Sequence, residues 1–292
     1  MYKKQIVVIV IVVAIMGYLY SLPVKGLIKP KEAEGHTNTT AAPEKRPVAN
    51  VTVEMVSSAA KIAIGPALSA QINELEGQLK NASDDAAQLD LQKQLAKHWE
   101  DVNQPAPAAY YYQAIAQKEN KFEDWVSAGS HFNDAFKLTQ DTLVQPAFVV
   151  NAIACYKNAV KLQPQNLDAK TGLGVAYVNQ TSMGITDPDG GSPMQGIMLL
   201  LDVVKQDPNN RNANLSLGMF AMKSGQYEKA VQRFKTIIAQ KPDVEPYFYL
   251  AESYKQLGMK KEAIDAYQKC RAMMPDSAFD QRIDEYIKEL KN

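Results

Sequence analysis

The chain has 292 residues, with 32 basic and 32 acidic side chains and a formal charge of zero. That balance offers no basic face to a nucleic acid, and a hydrophobic content of 46% is ordinary for a folded protein. The first element is apolar: Gln5 to Val24 carries no charge and is long enough as a helix to span a bilayer. Residues 1–24 are therefore expected to form a transmembrane anchor, with Tyr18 and Tyr20 near one interface. A cleaved signal peptide competes with this reading, but no small-x-small site follows the run and no cysteine is placed for lipidation. Lys3 and Lys4 flank one side and Lys25, Lys29 and Lys31 the other, so charge does not settle the orientation. The very short basic tail before an apolar core suggests a bacterial signal anchor, with the rest of the chain extracytoplasmic. Residues 25–52 are polar, proline-containing and aperiodic, and read as a flexible tether.

Helical periodicity returns over 53–88, broken at Gly65-Pro66, with Ile72, Leu75 and Leu79 on one face. Two short capping helices are expected there, and the apolar run is too short to favour a coiled-coil dimer. Next, Leu95, Ala96, Trp99, Ala108 and Tyr112 start a pattern that Trp125, Ala128, Gly129, Phe132, Ala152, Tyr156, Ala159 and Pro164 repeat. It recurs in Leu173, Gly174, Tyr177, Gly196, Leu200 and Pro208, and becomes regular in two last copies. Leu217, Gly218, Gly225, Ala230, Phe234 and Pro242 align with Leu250, Ala251, Gly258, Ala263, Tyr267 and Pro275, 33 residues on. Small residues sit where two helices approach, large ones fill between them, glycines end first helices and prolines close second helices. Five units follow, at 89–121, 122–166, 167–210, 211–243 and 244–276. About ten extra residues fall between the helices of the second and of the third. Residues 277–292, with Phe279, Ile283, Tyr286, Ile287 and Leu290 on one face, read as a polar-backed capping helix.

The last unit carries Tyr247, Leu250, Ala251, Tyr254, Ala263, Tyr267 and Pro275. This closely resembles the tetratricopeptide-repeat signature, with only the leading tryptophan replaced by another aromatic. The resemblance covers about two thirds of the chain and is weak in the first unit. It implies an all-α solenoid of helix-turn-helix units, a right-handed superhelix following the N-terminal transmembrane helix. In that family the first helices of successive repeats line a concave groove that binds peptides or helices of partner proteins. Carried over residue by residue, the groove positions are Thr171, Val175 and Val178, then Leu215, Met219 and Met222, then Phe248, Glu252 and Lys255. The family's carboxylate clamp uses lysine and asparagine, whereas Val175, Leu215, Met219 and Phe248 stand at such positions here. An adaptable apolar ligand such as an amphipathic helix fits this set better. The same residues would do nothing for a partner if the chain itself covers them.

Nothing in the chain suggests catalysis. His36, His98 and His131 lack ligand-like spacing, and Asp187 to Ser192 lacks the third alternating oxygen and distal glutamate of a calcium loop. Cys155 and Cys270 fall in different units and are not expected to bridge. The sequence thus points to a membrane-anchored, non-catalytic scaffold without cofactor or metal, binding a protein partner in envelope assembly or folding. The alternative is a structural protein whose groove or residues 53–81 build a homo-oligomer.

Overall fold

A computed structural model describes residues 48–185, 194–274 and 276–291. The proposed anchor at 1–24, nearly all of the tether and the stretch with Asp187 and Asp189 lie outside the described residues. Among the described residues there are twelve helical elements and no strand, and none of the helices is long and apolar enough to cross a membrane. They are α1 (Val53–Asn81), α2 (Asp85–Asp101), α3 (Pro105–Glu119), α4 (Phe122–Leu138), α5 (Gln145–Leu162) and α6 (Leu167–Ser182). The chain continues with α7 (Gln195–Gln206), α8 (Arg211–Lys223), α9 (Tyr227–Gln240), α10 (Val244–Gln256), α11 (Lys260–Met273) and α12 (Ser277–Lys291).

The element α1 is a hairpin of two helices, 53–64 and 66–81. Gly65 holds φ 79° and ψ 173°, a conformation that a residue with a Cβ adopts only at a cost, and Pro66 begins the return helix. Lys61 donates across the hairpin to Glu76 (2.6 Å) and Asn73 (2.9 Å), and Ser57 donates to Glu76 at 2.5 Å. Of the later helices, α6, α8, α10 and α12 start on side-chain caps. Asn166, Asn210 and Asp276 accept from the backbone three residues on at 3.0, 3.0 and 2.8 Å, and Asp243 accepts from Val244 N at 2.8 Å. Gly225 and Gly258 end α8 and α10 with φ 74° and 72°. The closure after α3 is made by Asn120, left-handed at φ 49° and held by Trp125 Nε1 donating to its Oδ1 at 3.0 Å. Asparagine thus does there what proline does in the later units.

The expected insert between the helices of the second unit is mostly helix. α4 runs on to Leu138 and α5 starts at Gln145, because Phe132, Ala135, Phe148 and Val149 are apolar at helical spacing and buried. Only 139–144 remain as a connection.

Each helix packs on its chain neighbours, so the core is a string of clusters handed from helix to helix. Trp99, Leu95 and Ala96 bury against Ile72 and Leu75 of α1 and Ala108, Tyr111 and Ile115 of α3. At the other end Phe234, Ile237, Tyr254, Tyr267 and Cys270 join Ile283, Ile287 and Leu290 of α12. Cys155 and Cys270 are both free and fully buried. Burial pushes their thiols up to about 12, and the Tyr110 and Tyr112 hydroxyls to about 12 as well. The folded state therefore favours the protonated forms. Their contribution to stability is complete below the ordinary thiol value of 9.0 and is lost as pH rises toward 12. The urea midpoint is expected to hold steady around neutrality and to fall through that alkaline window.

Candidate functional site

From α4 onward consecutive first helices touch one another, α4 on α6, α6 on α8 and α8 on α10, whereas α3, α5, α7, α9 and α11 make no comparable contact with one another among the described residues. The array therefore curves with its first helices on the inside, and the nine residues singled out as groove positions all lie on this inner layer. They do not share one environment. On α6, Thr171 is buried and its hydroxyl donates to Leu167 O of its own helix at 2.7 Å, so it presents nothing outward. Val175 and Val178 are half-buried against a cluster of Ile197, Leu200 and Leu217. On α8, Leu215, Met219 and Met222 recur at four- and three-residue spacing and so share a face. Leu215 and Met222 are half-buried, and Met219 is 42% exposed.

On α10 the chain itself supplies the partner. Phe248 meets the rings of Tyr267 and Tyr286 with centroids 6.1 Å away in each case. Glu252 accepts the Tyr267 hydroxyl hydrogen bond, and burial together with that bond holds the phenol well above its usual range. Lys255 donates to Glu289 at 3.0 Å and lies 5.5 Å over the Tyr286 ring. Tyr286 and Glu289 belong to α12, so the capping helix occupies the inner surface at α10. Of the nine positions, Met219 of α8 is the one left exposed.

Family models described as tetratricopeptide repeat match residues 195–254 and 244–277. Residues 195–277 are tetratricopeptide repeats. A thermophilic member from Thermus thermophilus superposes with a TM-score of 0.53 at 20% identity, over 68% of this chain and 97% of that one, a likeness of fold. A MamA protein gives 0.43 at 18% identity, over 63% of this chain and 90% of its own. YrrB, described as a protein of this type with an unusual peptide-binding site, gives 0.42 at 16% identity, over 75% and 98%. No curated protein matches the chain.

The helical array also holds polar groups that sequence patterns did not single out. Asn214, only 1% exposed, donates to the carbonyls of Pro208 (2.9 Å) and Asn210 (2.8 Å) and accepts from Arg233 at 3.0 Å. It fixes the start of α8, and with it the bearing of Met219. Arg211 adds an ion pair to Asp243 at 3.0 Å across the same unit. Near the N-terminal hairpin a cavity of about 770 Å³ is lined by Val53, Tyr111, Asn73, Glu76 and Gln92. The Glu76 carboxylate is its hub, accepting from Ser57, Lys61 and Tyr111, and the buried Gln92 Oε1 has no partner. A glutamate inside the apolar face of "INELEGQL" was the only signal of this network.

Chemistry-bearing residues stay apart. His131 Nδ1 lies 2.8 Å from Ser127 O and its Nε2 4.0 Å from Glu100, with the ring against Tyr112. Among the described residues no group of three or more His, Cys, Asp or Glu side chains could hold a metal ion.

Proposed function

We propose that this chain is a non-catalytic adaptor that seats an amphipathic helix of a partner protein against the inner faces of α6 and α8. Residues 1–24 would anchor it in a bacterial envelope membrane, with 25–52 holding the array away from the bilayer on the extracytoplasmic side. The apolar run and short basic tail of the sequence support that placement. The observation that carries the docking reading is Met219, a flexible apolar side chain left 42% exposed between half-buried Leu215 and Met222. Val175 and Val178 extend the apolar surface from the neighbouring first helix. A helix laid there would bury a Met-centred stripe, and charges on its other face would remain in water.

The test is crosslinking capture from native membranes with the full chain, wild type against Met219→Glu. A partner taken by the wild type should also bind the purified chain directly. Glutamate at 219 should abolish that binding, because it puts a charge in an apolar contact while leaving helicity intact. Equal capture by both proteins would sink the reading.

A further inference from the structure

We propose that the cavity beside the N-terminal hairpin binds a small zwitterion, a free amino acid or dipeptide, independently of the inner surface at α6 and α8. The first helix of the hairpin supplies Glu54, Ser57 and Lys61, the second supplies Glu76, Gly77 and Lys80, and α3 closes the side. The volume, about 770 Å³, is that of a small-ligand site. Its charges are of two kinds. Lys61 and Glu76 satisfy each other, and the buried Ser57 and Tyr111 turn their hydroxyls onto the same carboxylate. That network is neutral and complete, a fixed wall. Glu54 and Lys80 are exposed at the open end of the hairpin, in its first and last turns, and among the described residues neither has an ion-pair partner. Hydrogen bonds from Thr52 and from its own backbone amide hold the Glu54 carboxyl below the usual carboxylate value, so it is charged at neutral pH.

Two opposite charges thus line one cavity without pairing with each other, and that selects the ligand. A cation alone would satisfy Glu54 and face Lys80, and an anion alone would do the reverse. A molecule with an ammonium and a carboxylate answers both, each through a charge-assisted hydrogen bond. Val53 and Leu79, next to these residues in the chain, give its side chain apolar contact. Gly77 is an independent sign. It lies within the return helix, where glycine is less favourable than alanine, and a Cβ there would meet no atom within 4 Å. The fold does not crowd this position, yet the helix gives up stability at it. The room belongs to the cavity, and a ligand lying against bare backbone accounts for it.

Calorimetric titration of the full chain in detergent tests this, with alanyl-leucine and alanyl-tyrosine as probes. Both should bind the wild type. The same dipeptides, N-acetylated and C-amidated, should bind about tenfold or more weakly, since both charge-assisted bonds are lost. Glu54→Gln and Lys80→Gln should each weaken binding about tenfold. Both side chains are exposed, so the melting curve should not move. Gly77→Leu should melt no earlier than wild type, because leucine is the better helix former, and should lose binding because its side chain fills the cavity. The proposal is overturned if neither probe binds the wild type at about 10 mM. It is overturned too if blocked dipeptides bind as well as free ones, or if the glutamine variants or Gly77→Leu keep full affinity. Earlier melting of Gly77→Leu would show that the fold itself needs the glycine, and that removes the case for a ligand.

Discussion

Gly218→Leu should unfold the fourth repeat, while Met219→Glu, one residue further along the same helix, should leave the melting curve within about 0.5 kcal/mol of wild type. A Cβ on Gly218 would lie 2.6 Å from Phe234 Cε1 and 2.8 Å from Cζ, closer than carbon atoms pack. Phe234 is fully buried and cannot withdraw, because its ring stacks on Tyr249 with centroids 5.6 Å apart. Overpacking in ordinary cores costs about 1–3 kcal/mol. A leucine aimed at a ring that is itself backed by another ring belongs at or above the top of that range. Met219 faces the other way and is 42% exposed, so its replacement disturbs no stacked contact. Urea melts of the two variants decide the matter: if Met219→Glu is as damaging as Gly218→Leu, residue 219 is core and the docking surface is misassigned.

Trp99→Ala should cost about 3–5 kcal/mol and split the melt into two transitions. Trp99 is fully buried where α2 meets α1 and α3, and its cluster shares no residue with the one built on Phe234 and Tyr267. In an array whose units touch only their neighbours, a loss at one end is not shared evenly along the stack. The N-terminal hairpin and first unit should open first. Cys270, fully buried near the other end, should remain protected from alkylation at a temperature where far-ultraviolet ellipticity has already begun to fall. A single transition, with Cys270 exposed in step with the loss of helix, would mean that the array behaves as one cooperative block.

The sequence carried those parts of the fold that depend on residue size at a fixed spacing. Ala230, Ala251 and Ala263 are fully buried and Gly218 lies against Phe234, because close helix approach tolerates nothing larger. Gly65 was readable for a different reason: beside proline it marks a chain reversal whatever surrounds it. The inner surface was readable only in part. Carrying family positions over residue by residue treats every first helix alike, and so places Phe248 and Lys255 beside Met219. Their actual partners, Tyr286 and Glu289, lie more than thirty residues downstream, and no local pattern announces that contact. Asn120 escaped notice because a left-handed asparagine leaves no mark as plain as a proline. The extended α4 and α5 escaped because helix and insert look alike where the repeat register is lost.

The seating of α12 on α10 gives the inner surface a direction. Tyr286 and Glu289 wall off the array at Phe248 and Lys255, while Met219 of α8 stays exposed. A guest helix lying along the first helices would run into that wall, so its terminus has a fixed origin from which its length is counted. If the proposed guest helix binds there, such a surface would measure its length as well as hold it. On that reading a guest one turn too long would have to lift off at the α4 end or dislodge the capping helix, and either penalty would fall on length before it fell on sequence.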